Sequence, residues 1–469
     1  MMDGDRDPLR RRVLGGLLAA AALPLAGCGI AARQFERLQD RAAHGAEFGR
    51  SGRLAADELQ WARIAWRYFE GNTDSTTGLV NGRDRRPTTS MWNLADYLAA
   101  LVAAGELGVV SQRDFDLRMS RALGFLGSMD LSGGLVPGRT YNVATGKMVN
   151  FENRPEDTGW SALDVGRLMA WMRIVGQRHP RFQEYVDKAL LRWSFCRVID
   201  DCGALHGANR KQGQVNLHRE GRFGYEQLAA AGFATWGFDA SASSSLPPLE
   251  YFNVMGTPVP FDARDPRVTG VPAPTLTMPH VYLGMEYGWV PPGTAAAPAL
   301  RAIADRVYEV QRERWRRDKA LTARTDYQSP DAPFVVLDSV YAAGYPFNTV
   351  GVDNKPYEKL ALVSTRAAFG MWALWPDDYT DRLIEAVRHL HDPDRGWFEG
   401  RLEATGGPLP HVTLATNADV LRSLLFKAKG PLATSQPNPG FYQRQLSDPF
   451  KRTDQCLPHE RPACRQRAG

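Results

Sequence analysis

The sequence predicts an all-α fold, an (α/α)6 toroid with long loops and short strand pieces on one face. Three observations lead there. Helix-type apolar periodicity recurs through residues 53–432 with no Pro/Gly/Ser linker between independent cores. Six long connections, near 70–89, 129–157, 199–222, 236–276, 318–356 and 392–412, each run into a helix, whereas most other returns are short. The helices after long connections are apolar all round, as in SALDVGRLMAWM and STRAAFGMWALW. Those after short ones carry more charge, as in LRAIADRVYEVQRERWRRD. All-round apolarity marks an inner helix and a single apolar stripe an outer one. If consecutive helices are antiparallel, every long loop leaves the ring at the same end, and function concentrates on such loops.

Ahead of the ring, Arg10, Arg11 and Arg12 precede an apolar run, Val13 to Leu25, that is too short to span a bilayer. It ends in Leu25-Ala26-Gly27-Cys28, which resembles a bacterial lipobox, and the arginines also resemble a twin-arginine export signal. Residues 1–27 are therefore expected to be a lipoprotein signal peptide and Cys28 the lipidated residue, with the protein held at a membrane by its acyl chains. Gly29 after the cysteine favours the periplasmic face of the outer membrane. Residues 28–52 read as a tether or first helix, with Ala32 to Ala43 its helical part.

Within the ring, Leu59, Ala62, Trp66 and Phe69 share a helical spacing, as do Leu94, Leu98, Leu101 and Val102. Ser111, with Asp114 three residues on, reads as the cap of a helix carrying Phe115, Met119, Leu123 and Leu126. Further helices are expected over roughly 158–175, 180–198, 223–235, 278–289, 295–317, 357–375, 377–391 and 413–429. Pro180 suits a first helical turn, and Asp377 restarts a helix after Pro376. One outer helix, due near 236–260, is not visible in that Ser/Pro-rich stretch.

The formal charge is +5, of which residues 451–469 carry +3 and residues 1–27 carry +1, so the body lacks the concentrated basic face of a nucleic-acid reader. Residues 433–469 form a basic C-terminal tail. Besides Cys28 there are Cys196, Cys202, Cys456 and Cys464, an even set that suggests disulfides in an exported chain. Three pairings are open. Each close-spaced pair could close a small loop, and neither spacing suits zinc.

The segments TTSMWNLADYLAALVAAGELG, GWSALDVGRLMAW, RWSFC, EGRFGYEQLAAAGFATWGFD, FDARDPR, LVSTRAAFGMWALW, GWFEGRLEATG and TNADVL occur in this order. Together they resemble the bacterial family numbered 3131 among domains of unknown function, over most of residues 57–430. That family is similar to the six-hairpin glycosidase group of glucoamylase-like and β-1,2-glucanase-like hydrolases. The resemblance implies a glycoside hydrolase-like domain over 53–432 acting on an envelope or exported polysaccharide, a glucan above all, without a cofactor. In one departure, Thr325 stands beside Asp326 where an acidic pair is expected.

Two-carboxylate hydrolysis needs an acid for the leaving oxygen and a second carboxylate for water or carbon. Glu220 stands out, in HREGRFGYE beside Arg219 and Arg222 just before an inner helix; Glu226 follows at the helix start, where a carboxylate is also simply favourable. Glu399 and Glu403 lie in GWFEGRLEATG before the last inner helix, with Asp326 and Asp331 competing for the same role. The candidate catalytic residues are Glu220, Glu403 and Asp331. Trp92, Tyr141, Asp157, Trp160, Arg222, Tyr225, Glu226, Asp326, Trp397 and Glu399 are candidates for holding substrate, since aromatic faces stack on sugar rings. Trp397, in a Gly-flanked loop, is the preferred platform, whereas Trp92 and Trp236 sit in apolar runs that also suit core packing. Asp262 and Asp265 read as turn residues rather than part of a calcium loop, and no metal-site motif is found. His206, His218 and His411 on the loop face keep a polysaccharide lyase open. A non-catalytic glycan-binding lipoprotein of a secretion or assembly machinery is the other alternative.

Overall fold

A computed structural model describes residues 48–265, 274–433 and 455–464. The expected signal peptide, Cys28 and the Ala32–Ala43 helix lie outside the described residues. Twelve helices are described: α1 Ala56–Asn72, α2 Met91–Glu106, α3 Gln112–Leu126, α4 Ala162–Arg178, α5 Gln183–Leu190, α6 Tyr225–Ala234, α7 Ser241–Ser244, α8 Met278–Tyr287, α9 Ala297–Asp318, α10 Thr365–Leu374, α11 Asp378–Val387 and α12 Leu414–Lys429. The even-numbered helices form one closed ring, α2 against α4, α6, α8, α10, α12 and back to α2, and the odd-numbered helices pack outside it. This is an (α/α)6 toroid.

Composition explains the two layers. All ten residues of α6, of α8 and of α10 are buried, whereas α9 buries Leu300, Ile303, Ala304, Val307, Tyr308, Val310 and Gln311 along one side. Side-chain oxygens start the helices: Ser90, Ser161, Ser364 and Thr413 each accept the N–H three residues on, opening α2, α4, α10 and α12. Ser111 caps α3 through the N–H of Asp114 as expected.

The α4–α6 contact depends on glycine. A Cβ on Gly232 would lie 1.8 Å from the Gly166 carbonyl oxygen, and one on Gly166 would lie 2.5 Å from that of Ala229. Backbone against backbone cannot yield as a side chain can. Gly232→Ala is expected to lower stability by about 2 kcal/mol or more, read by urea unfolding; a loss below about 0.5 kcal/mol would show that these helices part freely.

Several boundaries differ from expectation. The helix expected over 180–198 stops at Leu190, because Trp193 and Phe195 turn into the core. The helix expected from 357 begins at Thr365, since Leu362–Ser364 is a strand paired with Gly396–Leu402. The one expected over 377–391 ends at Val387, and His391 pairs as a strand with Trp397. The outer helix missing near 236–260 is the single turn α7, followed by a hairpin of Leu249–Val254 and Thr257–Asp262.

The long loops are laced to one another. Thr88–Ser90 pairs with Thr140–Asn142, and Gly159–Trp160 with the His206–Lys211/Gln214–Arg219 hairpin. Thr275 bridges to Tyr341, and Arg83 to Thr413. All six long loops thus share backbone hydrogen bonds with a neighbour around one rim. The cysteines pair across the chain rather than locally: Cys196–Cys456 and Cys202–Cys464. Each joins the start of the third loop to the tail, and Arg461 adds bonds to the Phe195 and Ile199 carbonyls. Local closure of two small loops is therefore not what forms.

Candidate active site

Because each long loop feeds an inner helix, the N-terminal ends of the inner helices open toward the laced rim. Side chains from five of them meet there. Trp92 (α2) is half-buried, and its ring meets that of Tyr225 (α6) edge-on, 5.2 Å between centroids. The Tyr225 hydroxyl donates to Asp326 Oδ1 at 2.8 Å, as do Arg366 Nη2 (α10) at 2.7 Å and Thr325 Oγ1 at 3.0 Å. Three donors converge on one oxygen. Among the described residues Oδ2 has no hydrogen-bond partner, and the Asp326 side chain keeps 22 % of its surface exposed.

Asp164, in the first turn of α4, accepts from Ser161 Oγ at 3.3 Å and lies beside the Trp92 backbone. Burial, and next the Glu220 carboxylate, push its carboxyl up to about 6. Glu399 accepts from Thr413 Oγ1 and, at 2.9 Å, from Thr416 Oγ1 at the start of α12. Burial also pushes Glu399 up, against the pull of Arg366.

Beneath the mouth, the ring's axis is filled by charge. Arg366 lies 3.7 Å from Asp419, Arg422 bonds Asp419 and, at 2.5 Å, Asp96, and Arg167 holds Glu286. Tyr282 donates to Asp419 at 2.8 Å and lies under the Arg167 guanidinium, 4.6 Å from centroid. Apart from Arg366, which is nearly so, these ionic side chains are fully buried.

Residues 60–430 match the family described as "Protein of unknown function (DUF3131)". The chain belongs to this family. No curated protein matches it. Among solved structures it is similar to a glucoamylase-like protein from Bacteroides fragilis NCTC 9343, at 15% identity and TM-score 0.61, covering 84% of this chain and 97% of that one. A glucoamylase-like protein from Bacteroides caccae ATCC 43185 gives 14% and 0.60 over 84% and 97%. The endo-β-1,2-glucanase from Chitinophaga pinensis, solved with sophorotriose and glucose, gives 13% and 0.57 over 81% and 94%. These likenesses establish the shared (α/α)6 fold.

Of the expected site residues, Trp92, Tyr225, Asp326, Glu399 and Arg222 gather at the mouth of the ring. Several others are structural. Glu220 accepts from Ser161 Oγ at 2.9 Å and from the Ala162 and Leu163 N–H groups at 2.5 and 3.4 Å, so both its oxygens are spent on the start of α4. Glu403 is clamped by Arg314 at 2.6 Å and Arg324 at 2.7 Å, tying the sixth loop to α9 and the fifth loop. Asp331 sits exposed at the tip of the Asp326–Gln328/Val335–Asp338 hairpin, whose base holds Asp326. Glu226 is buried between Arg219, Arg264 and Ser243. Asp157 is consumed by Ser132, Arg210 and two glycine N–H groups.

Three aromatic candidates cannot stack on a sugar, because they are core. Trp397 is 0% exposed and donates to the Trp61 carbonyl. Trp160 donates to the His206 carbonyl, and Tyr141 to that of Asp130. Of the five aromatic candidates, Trp92 alone is only half-buried. Asp164 and Arg366 were not anticipated. Asp164 reads in sequence as an ordinary Ser-x-x-Asp cap, but Arg366 carries a usable signal, a charge inside an all-apolar helix. A separate depression of about 400 Å3 on the flank, lined by Thr76, Thr77, Arg121, Phe125, Asp130 and Lys147, lacks any buried carboxylate among those residues.

Proposed function

We propose that this protein is a glycoside hydrolase acting on a glucan-type polysaccharide of the cell envelope or an exported one, tethered to the membrane through Cys28. The observation that carries the reading is Asp326: one carboxylate oxygen fixed by three donors, the other free at the mouth. Asp164, drawn toward its protonated form, is the acid. It delivers its proton to the glycosidic oxygen as the bond from that oxygen to the anomeric carbon breaks. Asp326 Oδ2 takes a proton from the water that bonds to the carbon, so the reaction is a hydrolysis with both carboxyls exchanged in protonation. Trp92, whose backbone lies beside Asp164 and whose ring meets that of the Tyr225 bonded to Asp326, offers a face on which a sugar can stack. Glu220 holds α4 and thereby Asp164. Neighbours named for glucoamylase-like and β-1,2-glucanase activity support the choice of a glucan.

The test is new reducing ends from a panel of β-1,2-, β-1,3- and α-1,4-glucans. Since Asp164 acts as an acid, the rate should fall as pH rises through about 6. Asp164→Asn should lose the natural substrate but retain an aryl glycoside, whose leaving group needs no proton. Binding without reducing ends would point to the glycan-binding alternative, and unsaturated, ultraviolet-absorbing ends to a lyase.

A further inference from the structure

We infer that the polysaccharide entering this mouth carries an anionic substituent, a carboxylate or phosphate on the sugar, received by Arg83, Arg139 and Arg222. The inference rests on the hydrolase reading for which end of the ring takes substrate. Its observation is different: how this chain treats its guanidinium groups. Deep arginines are neutralised. Arg167 holds Glu286, Arg324 holds Asp338 and Glu403, Arg366 holds Asp326, and Arg422 holds Asp96 and Asp419. Half-buried cations without a counter-charge forfeit hydration for no ionic return.

The three arginines at the mouth are handled otherwise. Arg222 is half-buried, and its guanidinium makes no hydrogen bond or ion pair among the described residues; its charge is felt at Tyr225, the residue that holds Asp326. Arg139 donates to the Ala208 carbonyl and Asn209 Oδ1, both at 3.2 Å, leaves its buried Nε unpartnered, and acts on Asp164. Arg83 donates to Gln328 Oε1 at 2.6 Å. Gln328 lies two residues beyond Asp326, on the same face of the strand. Arg83 also faces a like charge, Arg86, and its distant counter-charge is Glu399.

Nor do the mouth's own acids pair with them. Asp326 is matched by Arg366, Glu220 is spent on the start of α4 and Glu399 on Thr413 and Thr416, and among the described residues none of these carboxylates forms an ion pair with Arg83, Arg139 or Arg222. The surplus is positive, on planar donor groups suited to bidentate capture of carboxylate or phosphate. A neutral sugar needs donors and acceptors but no surplus charge.

The test is calorimetric binding by the purified full chain of three probes: oligogalacturonate, phosphoglycerol-substituted β-1,2-glucan and the unsubstituted glucan, at 50 and 300 mM NaCl. At least one anionic probe should bind about tenfold more tightly than the neutral glucan, less so at high salt. Arg222→Gln and Arg83→Gln should each remove most of that preference, and Arg222→Lys should restore part. Galacturonate and phosphoglycerol separate the two sources of charge. Equal binding of all three probes, unaffected by the arginine variants, would overturn the inference and leave the hydrolase reading to its own assay. Arginine-dependent anion binding with no cleavage of any probe would leave the inference standing and remove the hydrolase reading.

Discussion

Asp326→Asn removes turnover by about 10²- to 10⁴-fold, the usual worth of a positioned proton acceptor, and leaves the fold in place. The substitution keeps shape. An asparagine carbonyl oxygen at the Oδ1 position still receives Tyr225, Arg366 and Thr325, while the amide replaces the one oxygen that points to the mouth without a partner. What is lost is the capacity to take a proton from water. The measurement is reducing-end release on the glucan cleaved by the wild type, with thermal unfolding to confirm that the variant is folded. Wild-type-like turnover would dismiss Asp326 as the base. Tyr225→Phe separates positioning from chemistry: it removes one of the three donors and should cost less than Asp326→Asn.

The layers of this fold were legible because burial is written in composition. An inner helix such as Thr365–Leu374 shows no polar face, and an outer one such as Ala297–Asp318 cannot hide its charges. The fourth outer helix was not legible, because a four-residue turn leaves no periodicity to read. The site was read only in part, for a related reason. Loop acids are visible as acids, but whether a carboxylate faces a rim or an arginine depends on pairing over long separations. Glu403 meets Arg324 from 79 residues away. Trp397 looked free between glycines, yet strand pairing with His391 turns it inward. The disulfides span 260 and 262 residues, so local spacing misled. Arg366, Arg167, Arg422, Asp96 and Asp419 were the missed signal: charges on the buried faces of inner helices, which demand partners supplied within α12 or by another inner helix.

That ionic axis carries the largest expected effect on stability. Arg422 is fully buried and contacts Asp419, Asp96 at 2.5 Å and Glu286 at 3.6 Å, joining carboxylates from three helices. Burial already pushes Asp419 up despite this guanidinium. Arg422→Met fills similar space but leaves those carboxylates short of a cation, and breaking such a buried set costs about 3–5 kcal/mol. Truncated packing against Trp171 and Tyr282, which lie 5.4 and 4.7 Å from the guanidinium, adds to the loss. The sign of the pH dependence follows. Without Arg422 the folded-state Asp419 carboxyl holds its proton more tightly than in the unfolded chain, so the variant loses stability as pH rises above the ordinary carboxyl range and recovers part of it on acidification. The gap between variant and wild type in urea unfolding should therefore be wide at pH 8 and narrower at pH 5. Adding Asp419→Asn to Arg422→Met should recover part of the loss, because it removes one of the stranded charges. A gap under about 1 kcal/mol at pH 8, or one that widens on acidification, would mean that the axis is hydrated enough to tolerate bare carboxylates and that the ring is held by its apolar contacts alone.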